Sequence, residues 1–279
     1  MNAAEFRVHP TYLALDNLVQ DNSDPEAQTA ELTNVLLMAS HWADGVCNQP
    51  LGAHVVTRSQ RARVDRDGNL QLFANRFPVL AVSAVAYGPR PGALTSTVED
   101  LTGVWTEVDR LVLLPIGAPR TMSGPGLYAR WTFVAGRVAT QVDAAAVAGA
   151  TSLTVTDPTG ILPGASYRLW EPGVEETVTV AGDYEPATPT TPPEPTTVPL
   201  AAPTVNDHLA GYSFSGMTAD TRLAIISYAA SILLRPDTDA ENEFPDNNSS
   251  STRSKDSRPT GRGLVKEACR ILMSDTVVS

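Results

Sequence analysis

The sequence predicts an α+β fold: a helical core joined to a β-hairpin and sheet region, with a small all-β module inserted before the last helices. Three observations lead to this prediction. An apolar stripe with helical spacing follows Asp24, the spacing changes to period two from Val55, and small residues dominate from Val138 before several short strands. The chain also contains 19 glycines and 22 prolines, a composition that favours short strands and turns over a helix bundle.

The amino-terminal part is predicted to be helical. Asp24 is a suitable N-cap, Pro25 fits the first helical position, and Glu26 lies near the positive end of the helix dipole. Apolar residues then follow at helical spacing: Leu32, Val35, Leu36, Ala39, Ala43 and Val46. Stop signals come at residues 48–50, and a shorter helix is expected earlier, at about residues 11–20.

Alternating residues predict the first β region. Residues 55–64 are expected to form one strand, the polar turn at 65–69 reverses the chain, and residues 70–73 begin the return strand. Further strands are expected at 77–87, 111–114 and 127–134. These strands and the preceding helices make up the predicted core region, residues 1–137.

Residues 138–217 are predicted to form the inserted β module. Short strands are expected at 152–156, 167–170 and 176–180, with a closing strand at 205–214. The segment 186–199 holds six prolines and is expected to be an extended, polyproline-like loop rather than regular sheet.

The carboxyl-terminal part is predicted to contain a core helix followed by a polar tether. The helix, residues 218–236, can be capped by Thr218 or Asp220 and is ended by Pro236. One of its faces is apolar: Leu223, Ile226, Ala230 and Leu233. Residues 237–260 have too few apolar side chains to offset the entropy of ordering, so a flexible tether is expected there.

The last segment, residues 261–279, is predicted to contain an amphipathic helix. Its apolar side chains recur at helical spacing: Leu264, Val265, Ala268, Ile271 and Leu272. A helix that follows a tether either folds back onto the core or reaches for a partner, and the sequence leaves both alternatives open.

Motifs that would indicate an enzyme are missing from the sequence. There is no phosphate-binding loop with its lysine, and the four histidines are scattered rather than spaced as zinc ligands. Residues 211–216 resemble a nucleophile elbow around Ser213, but the second glycine comes one position late. Glu175 and Glu176 are adjacent on a predicted strand and therefore point to opposite faces. We expect no catalytic residue, no cofactor and no metal site.

Charge, hydropathy and cysteine usage limit the expected partners and compartment. A net charge of −11 argues against stable nucleic-acid binding, although it suits a channel through which DNA slides. The longest strongly apolar run, residues 223–234, is too short to span a membrane, and no signal peptide is visible. Cys47 and Cys269 show neither metal nor disulfide spacing, which suits a reducing cytoplasm.

Several short segments resemble one protein family in their order along the chain. Two helices lead to Ser-His-Trp-Ala-Asp at 40–44 and Cys-Asn-Gln-Pro-Leu at 47–51. A hairpin follows at 64–70, and Arg-Phe-Pro-Val at 76–79 precedes a strand. This order is similar to the head-to-tail adaptor proteins, also called connector or head-completion proteins, of long-tailed bacteriophages. In that family an early helix pair precedes a hairpin whose return strand ends in an apolar-Pro-Val step.

Later segments extend the resemblance to about two thirds of the chain. Residues 220–230 are similar to the penultimate helix of the family, and residues 148–155 and 205–211 resemble the β module of actinobacterial phage adaptors. The chain departs from the family in size, because members are often helical and much shorter. The role of the insertion is therefore open.

The resemblance implies a structural subunit of the virion neck and no catalysis. The chain would form a homo-oligomeric ring, usually of twelve subunits, beneath the portal protein and would extend the DNA channel. It would also be a docking platform for the next neck protein, a stopper or tail terminator. Genomic DNA would pass through without specific binding, no membrane would be contacted, and assembly would begin in the host cytoplasm.

The same resemblance implies a role for the last helix. A tethered helix repeated around a ring gains affinity through many simultaneous attachments, so residues 261–279 are expected to dock on the portal. The candidate portal-binding residues are those of its apolar stripe: Leu264, Val265, Ala268, Ile271 and Leu272.

The sequence leaves two other functional interpretations open. The chain can instead be another virion structural protein, such as a tail-completion or baseplate subunit, and no residue excludes this. A carbohydrate-binding adhesion protein is the third reading, with Trp170, Tyr184 and Tyr212 as stacking platforms, although these aromatic residues are sparse.

Overall fold

A computed structural model of the chain describes residues 1–11, 13, 15, 18–19, 23–107, 110–116, 127–243 and 261–276. These residues contain fourteen β-strands in four antiparallel sheets, together with four α-helices. The two β units and the helical layer each bury an apolar core of their own.

Two capped helices begin the chain, α1 (Ala3–Val8) and α2 (Pro25–Cys47). The side chain of Asn2 accepts the Glu5 N–H, and the Glu5 carboxylate accepts the Asn2 N–H, so the two residues form a capping box. Asp24 caps α2, and Asn48 ends it in the left-handed conformation with φ 53°. The predicted start and end of α2 are confirmed.

Two four-stranded sheets pack face to face to form the first β unit. In spatial order the first sheet contains β1 (His54–Arg61), β8 (Tyr128–Ala135), β4 (Val79–Gly88) and β5 (Ser96–Val98). The second contains β2 (Arg63–Val64), β3 (Asn69–Phe73), β7 (Leu111–Pro115) and β6 (Trp105–Glu107). Trp131 and Phe133 of the first sheet meet Leu70, Leu72 and Leu114 of the second in a fully buried core.

The second β unit, which we call the module, follows β8. Its four-stranded sheet has the order β12 (Glu176–Thr179), β11 (Ser166–Leu169), β14 (Ser213–Ser215) and β9 (Ala139–Gln141). A separate pair contains β10 (Ser152–Val155) and β13 (Thr196–Pro199). Leu153, Val155, Ile161, Leu169 and Phe214 are fully buried between them.

The helical layer is completed by α3 (Ala219–Glu243) and α4 (Gly261–Leu272), which ends in a 3₁₀ turn (Met273–Asp275). One apolar cluster joins α1 and α2 to Ile226 and Ala229 of α3. A second cluster contains Cys47 of α2, Ala224 of α3, and Ala268 and Leu272 of α4. The last helix therefore folds back onto the chain, which is one of the two alternatives that the sequence left open.

The predicted fold class is wrong. The chain is not a helical core with a small β module, because β-sheet makes up most of its regular structure and both β units have substantial cores. The period-two pattern of residues 54–135 supplies two apolar sheet faces, which bury each other and need no helix to cover them. The helices form a layer beside this mainly β body.

Several element predictions also need correction. The closing strand expected at 205–214 is limited to β14, because residues 205–209 form a loop held by Glu171 and Glu176. The strand expected at 55–64 is two strands, because the chain passes from the first sheet to the second at the buried Ala62. Residues 196–199 of the proline-rich loop form β13, since pairing with β10 needs no N–H from Pro199, the last strand residue. The short first helix lies at Ala3–Val8, where the capping box fixes its start, and the described residues among 11–20 are not helical.

The core helix also differs from its prediction. It continues past Pro236 to Glu243, because proline removes one helical hydrogen bond without forbidding helical angles in the residues that follow. Leu223 is 42% exposed, whereas the neighbouring Ala224 is buried in its place. The predicted tether lies outside the described residues from 244 to 260.

Gly136, the residue after β8, tests the close approach between the first β unit and the segment that follows α2. Its φ is +99°, and a Cβ there would lie 2.4 Å from the Gly52 carbonyl oxygen. We expect Gly136→Ala to lower the free energy of unfolding by at least about 3 kcal/mol. Alanine is strained at this positive φ, and the backbone at Gly52 must also move to make room for the new Cβ. Gly173→Ala is the matched control, with φ +85° and open space, and should cost about 1 kcal/mol. Equal losses in urea unfolding would contradict this packing.

Candidate functional site

Two of the segments that carry the family resemblance, 47–51 and 76–79, meet at the side chain of Gln49. Its Oε1 accepts the Phe77 N–H at 3.0 Å, and its Nε2 donates to the Asp275 carbonyl oxygen at 2.9 Å. Arg76 donates to the Asn48 carbonyl oxygen at 2.8 Å beside it. Gln49 is 4% exposed, and both polar atoms of its amide have a protein partner, as buried polar groups require. We call this arrangement the Gln49 junction.

Asp275 extends the Gln49 junction to the carboxyl-terminal helices. Its carboxylate accepts from Arg137 at 3.1 Å and from the Thr221 hydroxyl at 3.3 Å. Arg137 follows the first β unit, and Thr221 lies in the first turn of α3. The 3₁₀ turn after α4 is thereby fixed to the body by polar contacts on both its backbone and its side chain.

A second buried polar cluster joins the amino terminus to the module and to α3. The Glu5 carboxylate, whose side chain is fully buried, accepts the Ser213 N–H at 2.7 Å and the Ser213 hydroxyl at 3.1 Å. Arg222 of α3 lies 2.9 Å from the same carboxylate. The Asn2 amide also donates to the Gly211 carbonyl oxygen at 2.8 Å. Three distant parts of the chain are therefore tied together.

A third cluster holds a loop at the end of the module. His208, 1% exposed, lies between two carboxylates, with Nδ1 3.1 Å from Glu171 and Nε2 3.6 Å from Glu176. Glu171 accepts the Leu209 N–H, and Glu176 accepts the N–H groups of Val205 and Asn206. These bonds fix the loop conformation between Val205 and Leu209.

The predicted portal-binding residues lie on α4, where they differ in exposure. Ala268 and Leu272 are fully buried against α2 and α3. Leu264, Val265 and Ile271 are half-buried. The first two side chains can contact another protein only if α4 leaves the core, whereas the other three are partly accessible in the folded chain.

The sequence did not predict that these residues form buried polar clusters. Only the spacing of Asn2 and Glu5 is a readable signal, since it matches a capping box. Gln49, Asp275 and His208 have no local motif, because their partners lie tens or hundreds of residues away.

Aromatic residues proposed as glycan platforms are placed less favourably. Tyr184 is 8% exposed in the core of the module. The Trp170 ring is half-buried and already stacks with the guanidinium groups of Arg168 and Arg222, at 4.8 and 4.5 Å. Tyr212 is half-buried.

Among the described residues, no group of three or more His, Cys, Asp or Glu side chains has the arrangement of a metal site. The helices in the described ranges include none with the length and hydropathy needed to cross a membrane.

One comparison with known proteins gives a distant likeness. No family model matches the chain, and no curated protein matches it. One solved structure, described as "Neck of empty GTA particle computed with C6 symmetry", is similar at 13% identity over 100% of this chain and 90% of that one, with a TM-score of 0.39. A TM-score this low does not establish a shared fold, so the likeness does not bear on function.

Cys47 tests whether α4 stays on the core. The thiol is fully buried beneath α4 and donates to the Leu272 carbonyl oxygen at 3.7 Å. Burial, together with the negative charges of Asp275 and Asp44, raises its pKa to about 12. At pH 8 it therefore carries roughly a thousandfold less thiolate than an ordinary cysteine.

We expect maleimide to label the half-buried Cys269 quickly and Cys47 very slowly. The Cys269→Ser variant should then be almost unreactive at pH 8, and intact-mass spectrometry measures this directly. Fast labelling of Cys47 in that variant would show that α4 leaves the core in solution.

Glu5 tests the cluster at the amino terminus. We expect Glu5→Gln to lower the free energy of unfolding by about 3 kcal/mol, because Arg222 loses its buried charge partner. The control is Glu175→Gln, an exposed residue of the module, which should change stability by less than about 0.5 kcal/mol. A Glu5→Gln protein as stable as the control variant in urea would rule out the proposed importance of this cluster.

Proposed function

We propose that this protein is a structural subunit of the head-to-tail neck of a tailed bacteriophage, specifically the adaptor that forms a ring beneath the portal. One observation carries the proposal. The segments that resemble the adaptor family, at 47–51, 76–79 and 220–230, are far apart in sequence and yet meet around the Gln49 junction. These three segments therefore lie together in one part of the folded chain.

The fold suits a rigid structural subunit better than a catalyst. Its helices are tied to the β body by buried polar clusters at both ends of the chain. Such clusters are costly unless every group is paired, and when paired they favour a single arrangement of the parts they join. A subunit repeated around a ring needs this rigidity, since small errors in shape would prevent closure.

The charge is also consistent with this role. A subunit around a DNA channel must not hold the DNA, and a net charge of −11 disfavours lasting phosphate contacts. In this proposal genomic DNA passes through the ring without specific binding. A ring of twelve subunits, the portal above and a stopper or tail terminator below complete the arrangement.

Portal docking in this proposal uses α4 in its folded position. The half-buried side chains Leu264, Val265 and Ile271 contact the portal, while Ala268 and Leu272 hold the helix on the core. The exposed Met273, at 72% exposure just after α4, adds apolar surface at the same place.

Val265 tests this docking mode. We expect Val265→Asp to weaken portal binding by more than about tenfold, because a carboxylate replaces apolar contact at every position around the ring. Leu37→Asp, a 63% exposed residue on α2, is the matched control and should bind normally. Portal pull-down titration measures both variants. Unchanged binding of Val265→Asp would exclude α4 as the portal anchor.

The neck role itself is tested by mixing this protein with the portal protein of its own phage and averaging electron micrographs. An additional ring under the portal with matching rotational symmetry is the expected result. A bare portal beside monomeric protein would contradict the adaptor proposal. Recovery of the protein in tail or baseplate fractions would then favour the second candidate, another virion structural protein.

A further inference from the structure

The end of the module displays apolar side chains on a firmly held loop. Backbone hydrogen bonds join Ala146 to His208 and Gly149 to Thr204, so the segments 146–149 and 204–209 lie side by side. Three aliphatic side chains on these segments are strongly exposed: Val147 at 72%, Val205 at 78% and Leu209 at 58%. We call these two segments the loop tip.

The loop tip is held in place by buried polar side chains. Glu176 binds the N–H groups of Val205 and Asn206, Glu171 binds the N–H of Leu209, and His208 is buried beneath. Burying two carboxylates and an imidazole is unfavourable unless they are mutually paired. Glu171, Glu176 and His208 therefore hold the loop backbone in one conformation, and that conformation leaves Val147, Val205 and Leu209 exposed.

A complementary surface lies on the outer face of the first sheet. The strands β1, β8, β4 and β5 contain no Asp or Glu, whereas Arg61 and Arg130 are exposed on adjacent strands. Arg61 lies opposite Tyr128, and Ser59 lies opposite Arg130. With Pro91 and Leu94 these residues line a half-open cavity of about 270 Å³. We call this surface the arginine face.

The two surfaces belong to units of opposite charge. Residues 54–137 contain ten arginines and six acidic residues, whereas residues 138–217, which include the loop tip, contain one arginine and nine acidic residues. Opposite charges on two parts of one chain attract the corresponding parts of a second copy and orient the encounter.

Within one chain the module contacts the first sheet at the end away from the arginine face. Gly160 of the module lies against Leu80 and Val134, at the other end of the first sheet. Val134 is six residues along β8 from Tyr128, which is roughly 20 Å. Two different, complementary surfaces at different places on a molecule produce a head-to-tail contact between copies.

We infer that the loop tip of one subunit docks on the arginine face of the next, with Val205 and Leu209 at the cavity between Arg61 and Arg130. This inference deepens the proposed ring by naming the two surfaces that meet in it, and it rests on that proposed function. The second copy is the occupant because its module supplies both the apolar side chains and the negative charge that this carboxylate-free face accepts.

Two variants with exposed substitutions test the contact on portal complexes by electron microscopy. The tip variant is Val205→Asp with Leu209→Asp, and the face variant is Arg61→Glu with Arg130→Glu. Each should lower the fraction of portals that carry a complete ring by more than about tenfold. Leu37→Asp is again the control, and circular dichroism melting checks that every variant is folded.

Mixing the two variants at equal concentration gives a sharper result. The tip variant keeps an intact arginine face, and the face variant keeps an intact loop tip, so one contact can form between them. The other two surfaces of that pair are altered and cannot bind a third subunit. Native mass spectrometry should therefore detect heterodimers and no larger species. Complete rings of either variant, or no heterodimers in the mixture, would overturn the inference while leaving the adaptor proposal intact. Failure of the wild-type protein to form any ring would overturn the adaptor proposal and this inference with it.

Discussion

The relative positions of the helices and the first β unit depend on the buried side-chain amide of Gln49, which must keep its hydrogen bonds. Gln49 lies where α2 gives way to the first β unit, and its side chain binds the backbone before β4 and the backbone after α4. Breaking either bond would leave a polar group unsatisfied in a site with 4% exposure. The amide therefore fixes the positions of three elements that are separated by up to 226 residues.

The other two polar clusters likewise use buried hydrogen bonds to connect separate parts of the chain. Glu5 ties the amino terminus to the module and α3, and His208 with its two carboxylates fixes the loop tip. Apolar packing supplies most of the stability within each unit, but it is not directional and does not define how units meet. Directional hydrogen bonds at the joints supply that definition, which is what a repeated structural subunit requires.

Much of the local structure could be predicted from the sequence. The Asp24 cap, the proline at the first position of α2 and the turn at 65–69 follow from short-range chemistry and are present as expected. The fold class could not be predicted correctly, because periodicity identifies strands without showing that two sheets bury each other. The resemblance to a family with helical members added weight to the helices, and the pairing of β1 with β8, about 70 residues apart, has no local signal.

The site was less predictable than the fold. The apolar stripe of α4 was visible, but its spacing does not distinguish a helix that docks on a partner from one that packs on its own core. In the structure Ala268 and Leu272 do the second. The loop tip could not be predicted either, because Val147 lies in an alanine-rich segment and the carboxylates that hold residues 205–209, Glu171 and Glu176, are distant in sequence.

The most direct test is a cryo-electron-microscopy reconstruction of the neck in the intact virion. We predict a ring directly below the portal whose subunits each contain both β units, with the module of one subunit against the first sheet of its neighbour. A neck without density for this fold, or the protein located in the tail tip, would contradict it.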